Sequence, residues 1–242
     1  MKLLLISNST NPGEPYLGWP QTFISDFARR HGVKKVLFIP YAGVNLSLES
    51  LQASYDIYES RVAAVFKELG MEIYSIHRAD DPVDAVFKAE CIAVGGGNTF
   101  HLVHCMHKTG IMKAIRSRVG QGIPYMGWSA GANVACPTLR TTNDMPIIEP
   151  ESFNCMGLVP FQINPHYLDA NPVGHGGETR QQRIEEFLAI NREIKVLGLR
   201  EASLLEVDGD KMILKGFRPL RMFAFGHEPT EIEQGTDLSY LL

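Results

Sequence analysis

The segment Pro124-Tyr125-Met126-Gly127-Trp128-Ser129-Ala130-Gly131-Ala132-Asn133 restricts the fold more than any other part of the chain. An apolar run ends at a serine inside the pattern G-x-S-x-G (Gly127, Ser129, Gly131), and small residues follow. A strand-to-helix turn this sharp has no room for side chains beside it, so the glycines fit a strand–turn–helix elbow. Such an elbow needs a buried strand behind it and a helix in front, which places the segment in an α/β sheet. It lifts the Ser129 hydroxyl above the sheet at a helix N-terminus, where the peptide dipoles favour developing negative charge. The Ala130 N–H is then a candidate oxyanion donor. A serine N-cap on a glycine-rich helix has the same local sequence; the apolar strand before it favours the elbow.

The rest of the chain has the alternation such a sheet requires. Lys2–Ser7 is a short apolar run closed by polar residues, as in a buried first strand. Gln21–Arg30 is helix-like and leads to a strand at Val36–Ile39, stopped by Pro40. Leu51, Tyr55, Val62, Val65, Phe66 and Leu69 recur at helical spacing, and Gly70 closes that helix. Further strands are expected at Met71–His77, Cys91–Val94, Ile123–Trp128, Val159–Asn164 and Lys195–Leu199. Alternation of this kind builds a doubly wound, mostly parallel, flavodoxin-like sheet. The tail changes character: Ser203–Val207, a turn at Asp208-Gly209-Asp210 and Met212–Lys215 read as a hairpin, and Arg218–Phe225 as one more strand. The expected architecture is one domain over residues 1–242, a parallel core with a C-terminal antiparallel extension. Ligands then bind at the carboxyl ends of the strands.

Charge and composition narrow the function. Lys and Arg number 23 and Asp and Glu 27, a formal charge of −4 with no basic run. That argues against a nucleic-acid partner. The chain has neither a Lys/Arg-rich amphipathic helix nor a run of about 20 apolar residues, so no membrane association is expected. Leu3-Leu4-Leu5-Ile6 is too short for a signal-peptide core, and the expected location is the cytoplasm. Cys91, Cys105, Cys136 and Cys155 are scattered without C-x-x-C or zinc spacing, and are expected as reduced thiols.

Gly95-Gly96-Gly97 follows a buried strand and opens a helix, so Gly96 or Gly97 would supply the second oxyanion donor. The segment lacks the G-K-[ST] of a phosphate-binding loop. A serine nucleophile needs a base within hydrogen-bond reach. Among 8 histidines, His166 sits just beyond an expected strand end, on the rim of Ser129. His175 lies in a glycine-rich loop, with a lid role as an equal reading, and His227 follows a late strand. His101, His104 and His107 share a helix without H-E-x-x-H, so no metal site is expected; His31 and His77 read as surface or strand-end residues. Two carboxylates can orient the imidazole, Glu201 at the end of the Lys195–Leu199 strand and Asp144 in a polar loop.

Taken together, Gly127–Asn133, Thr142-Asn143-Asp144-Met145-Pro146, Gln162-Ile163-Asn164-Pro165-His166, Gly177-Glu178-Thr179-Arg180, Leu4–Thr10 and Gly95–Phe100 resemble the peptidase E family of α-aspartyl dipeptidases. The likeness covers essentially the whole chain. It implies a fold like that of class I glutamine amidotransferases, with serine in place of cysteine at the elbow, and cyanophycinases as closer hydrolase relatives. It also implies hydrolysis of dipeptides and some tripeptides after an N-terminal aspartate, with Ser129 as nucleophile, His166 as base and no metal or organic cofactor. Acids at the positions of both Glu201 and Asp144 are associated with the family's site. Glu201 is the favoured orienter, and Asp144 could hold the substrate's amino group. Arg180 is the candidate clamp for the substrate β-carboxylate, since a guanidinium binds a carboxylate with two bonds. The expected partner is a small peptide with N-terminal Asp, the protein being a monomer or homodimer. Two other readings remain: an esterase using Ser129, Glu201 and His227 in α/β-hydrolase order, and a non-catalytic small-molecule-binding module.

Overall fold

Apolar residues in an unbroken run, Leu3 to Ile6, suit a strand covered on both faces. In the computed structural model they lie in β1 (Lys2–Ile6) and are fully buried. The structure describes residues 1–171, 174 and 176–242, so His175 lies outside the described residues. After β1 come α1 (Gln21–Arg30), β2 (Lys35–Ile39), α2 (Leu51–Glu68), β3 (Glu72–Ser75) and α3 (Pro82–Lys88). Next are β4 (Ile92–Val94), α4 (Thr99–Lys108), α5 (Ile111–Gly120), β5 (Tyr125–Trp128) and the short α6 (Ala130–Asn133). The chain continues through β6 (Gln162–Tyr167), α7 (Arg180–Ile190), β7 (Val196–Arg200), β8 (Ser203–Asp208), β9 (Lys211–Gly216), β10 (Leu220–Phe223) and β11 (Thr230–Ile232).

The main sheet has seven strands in the order β3-β2-β4-β5-β1-β8-β9. Strands β1 to β5 pair in parallel, and the β8–β9 hairpin adds antiparallel strands beside β1. Alternate β1 residues feed opposite cores. Leu3 and Leu5 pack with Leu102, Met106 and Ile115 of α4 and α5. Leu4 and Ile6 pack with Ile24, Phe27, Val62 and Phe66 of α1 and α2. Each such side chain contributes about 1.5–3 kcal/mol through burial. The sheet is therefore doubly wound with an antiparallel extension, and no helix among the described residues is long and apolar enough to cross a membrane.

Where the strands pair differs from the sequence reading in one respect. β6 and β7 do not extend the main sheet; they pair in parallel within a second sheet of order β11-β10-β7-β6. The free edge of β1 is already taken by β8. The corner Glu201–Ala202, with Ala202 at φ 63, turns the chain from one sheet to the other. Boundaries shift as well. The strand expected over Val159–Asn164 is Gln162–Tyr167 and includes His166, rather than ending before it. The strand expected over Met71–His77 stops at Ser75, where a 3₁₀ turn (Ile76–Arg78) begins. His31 and His77 are not surface groups: their side chains are only 6% and 2% exposed.

Arg200 ties the second sheet together. Its guanidinium donates to Asp169 (2.8 and 2.5 Å) and to Glu231 (2.8 and 2.9 Å). Those bonds hold both carboxyls below their usual range. Groups with depressed folded pKa values contribute stability that is present above the unfolded value and is lost as pH falls through the folded one. In Arg200→Met the melting temperature should drop near neutrality, and its gap to wild type should close between about pH 5 and pH 2. A gap that stays constant across that acid limb would show that the ion pairs carry none of it.

Candidate active site

Every glycine of the elbow answers to a close approach. A Cβ on Gly127 would lie 2.3 Å from the Gly131 carbonyl oxygen, and one on Gly131 would lie 2.1 Å from that of Val94. A Cβ on Gly96 would lie 2.8 Å from the Ser129 Cβ. Ser129 itself has φ 54 and ψ −113, and its N–H donates to the Ile6 carbonyl at 3.0 Å. Regular helix after the serine is short, Ala130–Asn133, so stabilisation of an oxyanion falls to individual N–H groups more than to a helix dipole. The Ala130 N–H and the Gly96–Gly97 segment both border Ser129. Gly97 has φ 132, and its Cβ position lies 2.2 Å from the Ala42 carbonyl oxygen, so no other residue fits there.

His166 Nε2 lies 3.0 Å from Ser129 Oγ, and His166 Nδ1 lies 2.8 Å from Glu201 Oε1. With Nδ1–H donated to the carboxylate, Nε2 is the acceptor for the serine proton. The His166 and Glu201 side chains are both 39% exposed, so the constellation opens to solvent. His166 occupies an irregularity of β6, where the register with β7 shifts between Pro165 and Tyr167, and has φ 52.

Ser7, just past β1, fixes this corner. Its hydroxyl donates to the Leu199 carbonyl (2.7 Å) and accepts from the His166 N–H (3.0 Å). Asn8 Oδ1 accepts from the Ala202 N–H at 2.8 Å. Positive φ at Ser129, His166 and Ala202 thus clusters at the site. Strain of this kind costs about 1–3 kcal/mol per residue and persists where neighbouring bonds over-determine the backbone. Sequence reasoning missed Ser7 and Asn8, although polar residues directly after a buried parallel strand were a usable signal.

The other candidates separate. Asp144 makes no bond to His166 among the described residues. Its Oδ2 accepts from the Thr99 N–H (2.7 Å), the Thr99 hydroxyl (2.6 Å) and the Thr142 hydroxyl (3.1 Å), anchoring its loop to the first turn of α4. Asn143 and Asn164, also missed, lace that loop to β6: Asn143 Nδ2 donates to the Pro165 carbonyl at 2.7 Å, and Asn164 Nδ2 to Asn143 Oδ1 at 2.6 Å.

Arg180 opens α7 behind the Thr179–Gln182 capping box. It is half-buried, burial lowers its pKa, and among the described residues it has no carboxylate partner. It lines a cavity of about 290 Å³ with Ser129, Ala130, Thr99, Asp144 and Leu168. On another side of Ser129 is a cavity of about 560 Å³ bordered by Tyr16, Leu46, Tyr58, Arg61 and Ile147.

His227 is exposed and borders a different cavity, with Lys195 and Met222. His101 Nδ1 meets the Tyr41 carbonyl oxygen (2.7 Å) and His107 Nε2 that of Asn154 (2.9 Å), so these helix histidines share no centre. Asp56, Glu59 and His77 approach one another closely enough to hold a metal ion, but the Arg78 guanidinium bonds both carboxylates, at 2.8 and 2.6 Å.

A G-x-S-x-G serine, an imidazole and a carboxylate in hydrogen-bonded series at the carboxyl edge of an α/β sheet define a protein of the serine-hydrolase class. The model of peptidase family S51 matches residues 3–215. The chain belongs to peptidase family S51, and it is a peptidase. It is 46% identical over 241 residues to a peptidase E of Nostoc sp., covering 100% of this chain and 96% of that one. To a peptidase E of Salmonella typhimurium it is 43% identical over 235 residues, covering 97% and 99%. In fold it is similar to a peptidase from an acI-B1 Actinobacterium, with a TM-score of 0.68 at 17% identity over 98% of this chain and 96% of that one. A structure from Listeria monocytogenes EGD-e gives a TM-score of 0.60 at 22% identity, over 89% and 98%.

Proposed function

We propose that this peptidase hydrolyses dipeptides, and some tripeptides, after an N-terminal aspartate, through an acyl-enzyme on Ser129. The observation that carries the reading is the series Glu201–His166–Ser129, with contacts of 2.8 and 3.0 Å. Ser129 Oγ attacks the scissile carbonyl carbon while His166 Nε2 takes the hydroxyl proton. Glu201 holds the imidazolium that forms, and the N–H groups of Ala130 and Gly97 receive the oxyanion. The C–N bond then breaks as His166 returns the proton to the leaving amine. Water, deprotonated by His166, releases aspartate. Every group in this sequence belongs to the protein, the substrate or water. Free cysteines, most of them buried, fit a cytoplasmic setting.

The two cavities divide the substrate. The smaller one takes the aspartyl side chain, with Arg180 on its β-carboxylate and Asp144 beside its ammonium group. The larger one takes the leaving residue. Purified protein given Asp-Leu, Asn-Leu, Glu-Leu and Ala-Leu should turn over the first far faster than the rest; equal rates would refute the reading.

Arg180→Met keeps much of the side-chain stem but removes the charge. It should lower kcat/KM for Asp-Leu at least about a hundredfold, each factor of ten being about 1.4 kcal/mol. The Asp-Leu over Asn-Leu ratio should shrink towards one, because an amide offers N–H donors to a partner that can only donate. A variant that keeps the full ratio would move the clamp elsewhere on the rim.

A further inference from the structure

We infer that Tyr58 is a positioning residue for the oxyanion hole: its hydroxyl holds the Gly96 carbonyl, and so aims the Gly97 N–H of the same peptide at the reacting centre. The inference rests on the reading of Ser129 as nucleophile. Tyr58 lies on α2, far in sequence from the elbow, and its buried hydroxyl donates to the Gly96 carbonyl oxygen at 2.9 Å. In a trans peptide the C=O and N–H point in opposite directions, so fixing one end of the Gly96–Gly97 unit fixes the other. That unit lies against the nucleophile, as the Gly96–Ser129 approach shows. The Gly97 N–H has no backbone acceptor among the described residues, which leaves it available to a ligand.

The direction of the Tyr58 bond is set by its neighbours. Trp128 Nε1, a donor only, points at the Tyr58 oxygen (3.1 Å) and the Tyr16 oxygen (3.0 Å). The Tyr16 hydroxyl lies 3.3 Å from that of Tyr58 and donates to it. Tyr58 thus accepts from Trp128 and Tyr16, and its single proton goes to Gly96. Burial raises its pKa, so it stays a donor through the neutral range. The chain is also cut to admit this ring. A Cβ on Gly43 would lie 2.5 Å from Tyr58 Cδ1, and one on Gly95 would lie 2.5 Å from the Tyr58 oxygen. Phe38 meets the ring edge-on at 5.0 Å. Packing alone would be satisfied by phenylalanine; the hydroxyl is explained by Gly96.

The test compares the full-length wild type with Tyr58→Phe and, as control, Tyr55→Phe. Outright loss of an oxyanion donor costs about 10²–10³ in kcat, so misaiming one should lower kcat about tenfold to a hundredfold, with KM for Asp-Leu little changed. Affinity for the α-aldehyde of aspartate, whose hemiacetal oxygen on Ser129 occupies the hole, should weaken in step with kcat. Inhibition by free aspartate should not change. Tyr55→Phe, on the same helix but packed against Tyr41 and His77 away from both cavities, should stay near the wild-type kcat. If Tyr58→Phe does not fold, Trp128→Phe, which removes one of the two donors that orient the phenol, should show the same kcat loss at smaller size. Wild-type kcat in the folded Phe variant, or equal weakening of aldehyde and aspartate, overturns the inference. Turnover that survives Ser129→Ala instead overturns the reading beneath it.

Discussion

Replacing Ser129 with alanine should lower kcat for Asp-Leu by about four orders of magnitude or more, the usual consequence of losing a triad nucleophile. Oγ is the atom that becomes acylated, and no neighbour substitutes for it. The nearby thiol of Cys136 is buried and its pKa is pushed up to about 12, so it supplies no thiolate. The fold should survive. Among the described contacts the Ser129 side chain bonds only His166, while its backbone N–H remains tied to Ile6. Steady-state rates with the melting temperature as control check this, and acylation of wild type but not the variant by an active-serine reagent gives a second reading. Activity above a few per cent of wild type in a variant of confirmed mass would reject Ser129 as nucleophile.

What the sequence disclosed and what it withheld follow from how far each constraint reaches. The elbow was legible because its demands are local: Gly127 and Gly131 face backbone oxygens at 2.3 and 2.1 Å, and no other residue type fits. The parallel core was legible because strands buried on both faces are written as unbroken apolar runs. The division into two sheets was not, because a buried run does not encode which edge it joins; β7 and β8 are separated only by a two-residue corner.

At the site, Ser129 followed from its motif, whereas His166 needed its place on the rim and the family likeness to stand out among the histidines. Glu201 and Asp144 were both candidates, with Glu201 favoured for its place at a strand end. What separates them is that Glu201 reaches His166 at 2.8 Å while Asp144 is bonded to Thr99 and Thr142. Ser7 escaped notice because its bond to His166 spans 159 positions, and no periodicity records a contact of that range.

His166→Ala should lose kcat on the same scale as the serine variant, and His227→Ala should stay near wild type. The base must reach the hydroxyl it deprotonates. His166 Nε2 does so at 3.0 Å, while His227 is exposed beside a different cavity. Loss at His166 has a second possible origin, since this residue sits at φ 52 in an irregular strand. Alanine keeps the N–H that donates to Ser7, so the backbone should hold its shape and the melting temperature should move little. Added imidazole then separates the two origins. The vacated space keeps the Glu201 carboxylate on one side and the Ser129 hydroxyl on the other, so free imidazole bound between them should restore part of the rate. That rescue should saturate with imidazole concentration and be absent from Ser129→Ala. An essential His227 alongside a dispensable His166 would reinstate the chain order of the α/β-hydrolase esterases. A dead His166 variant that stays folded and resists imidazole would place the role of His166 in holding the strand rather than in moving the proton.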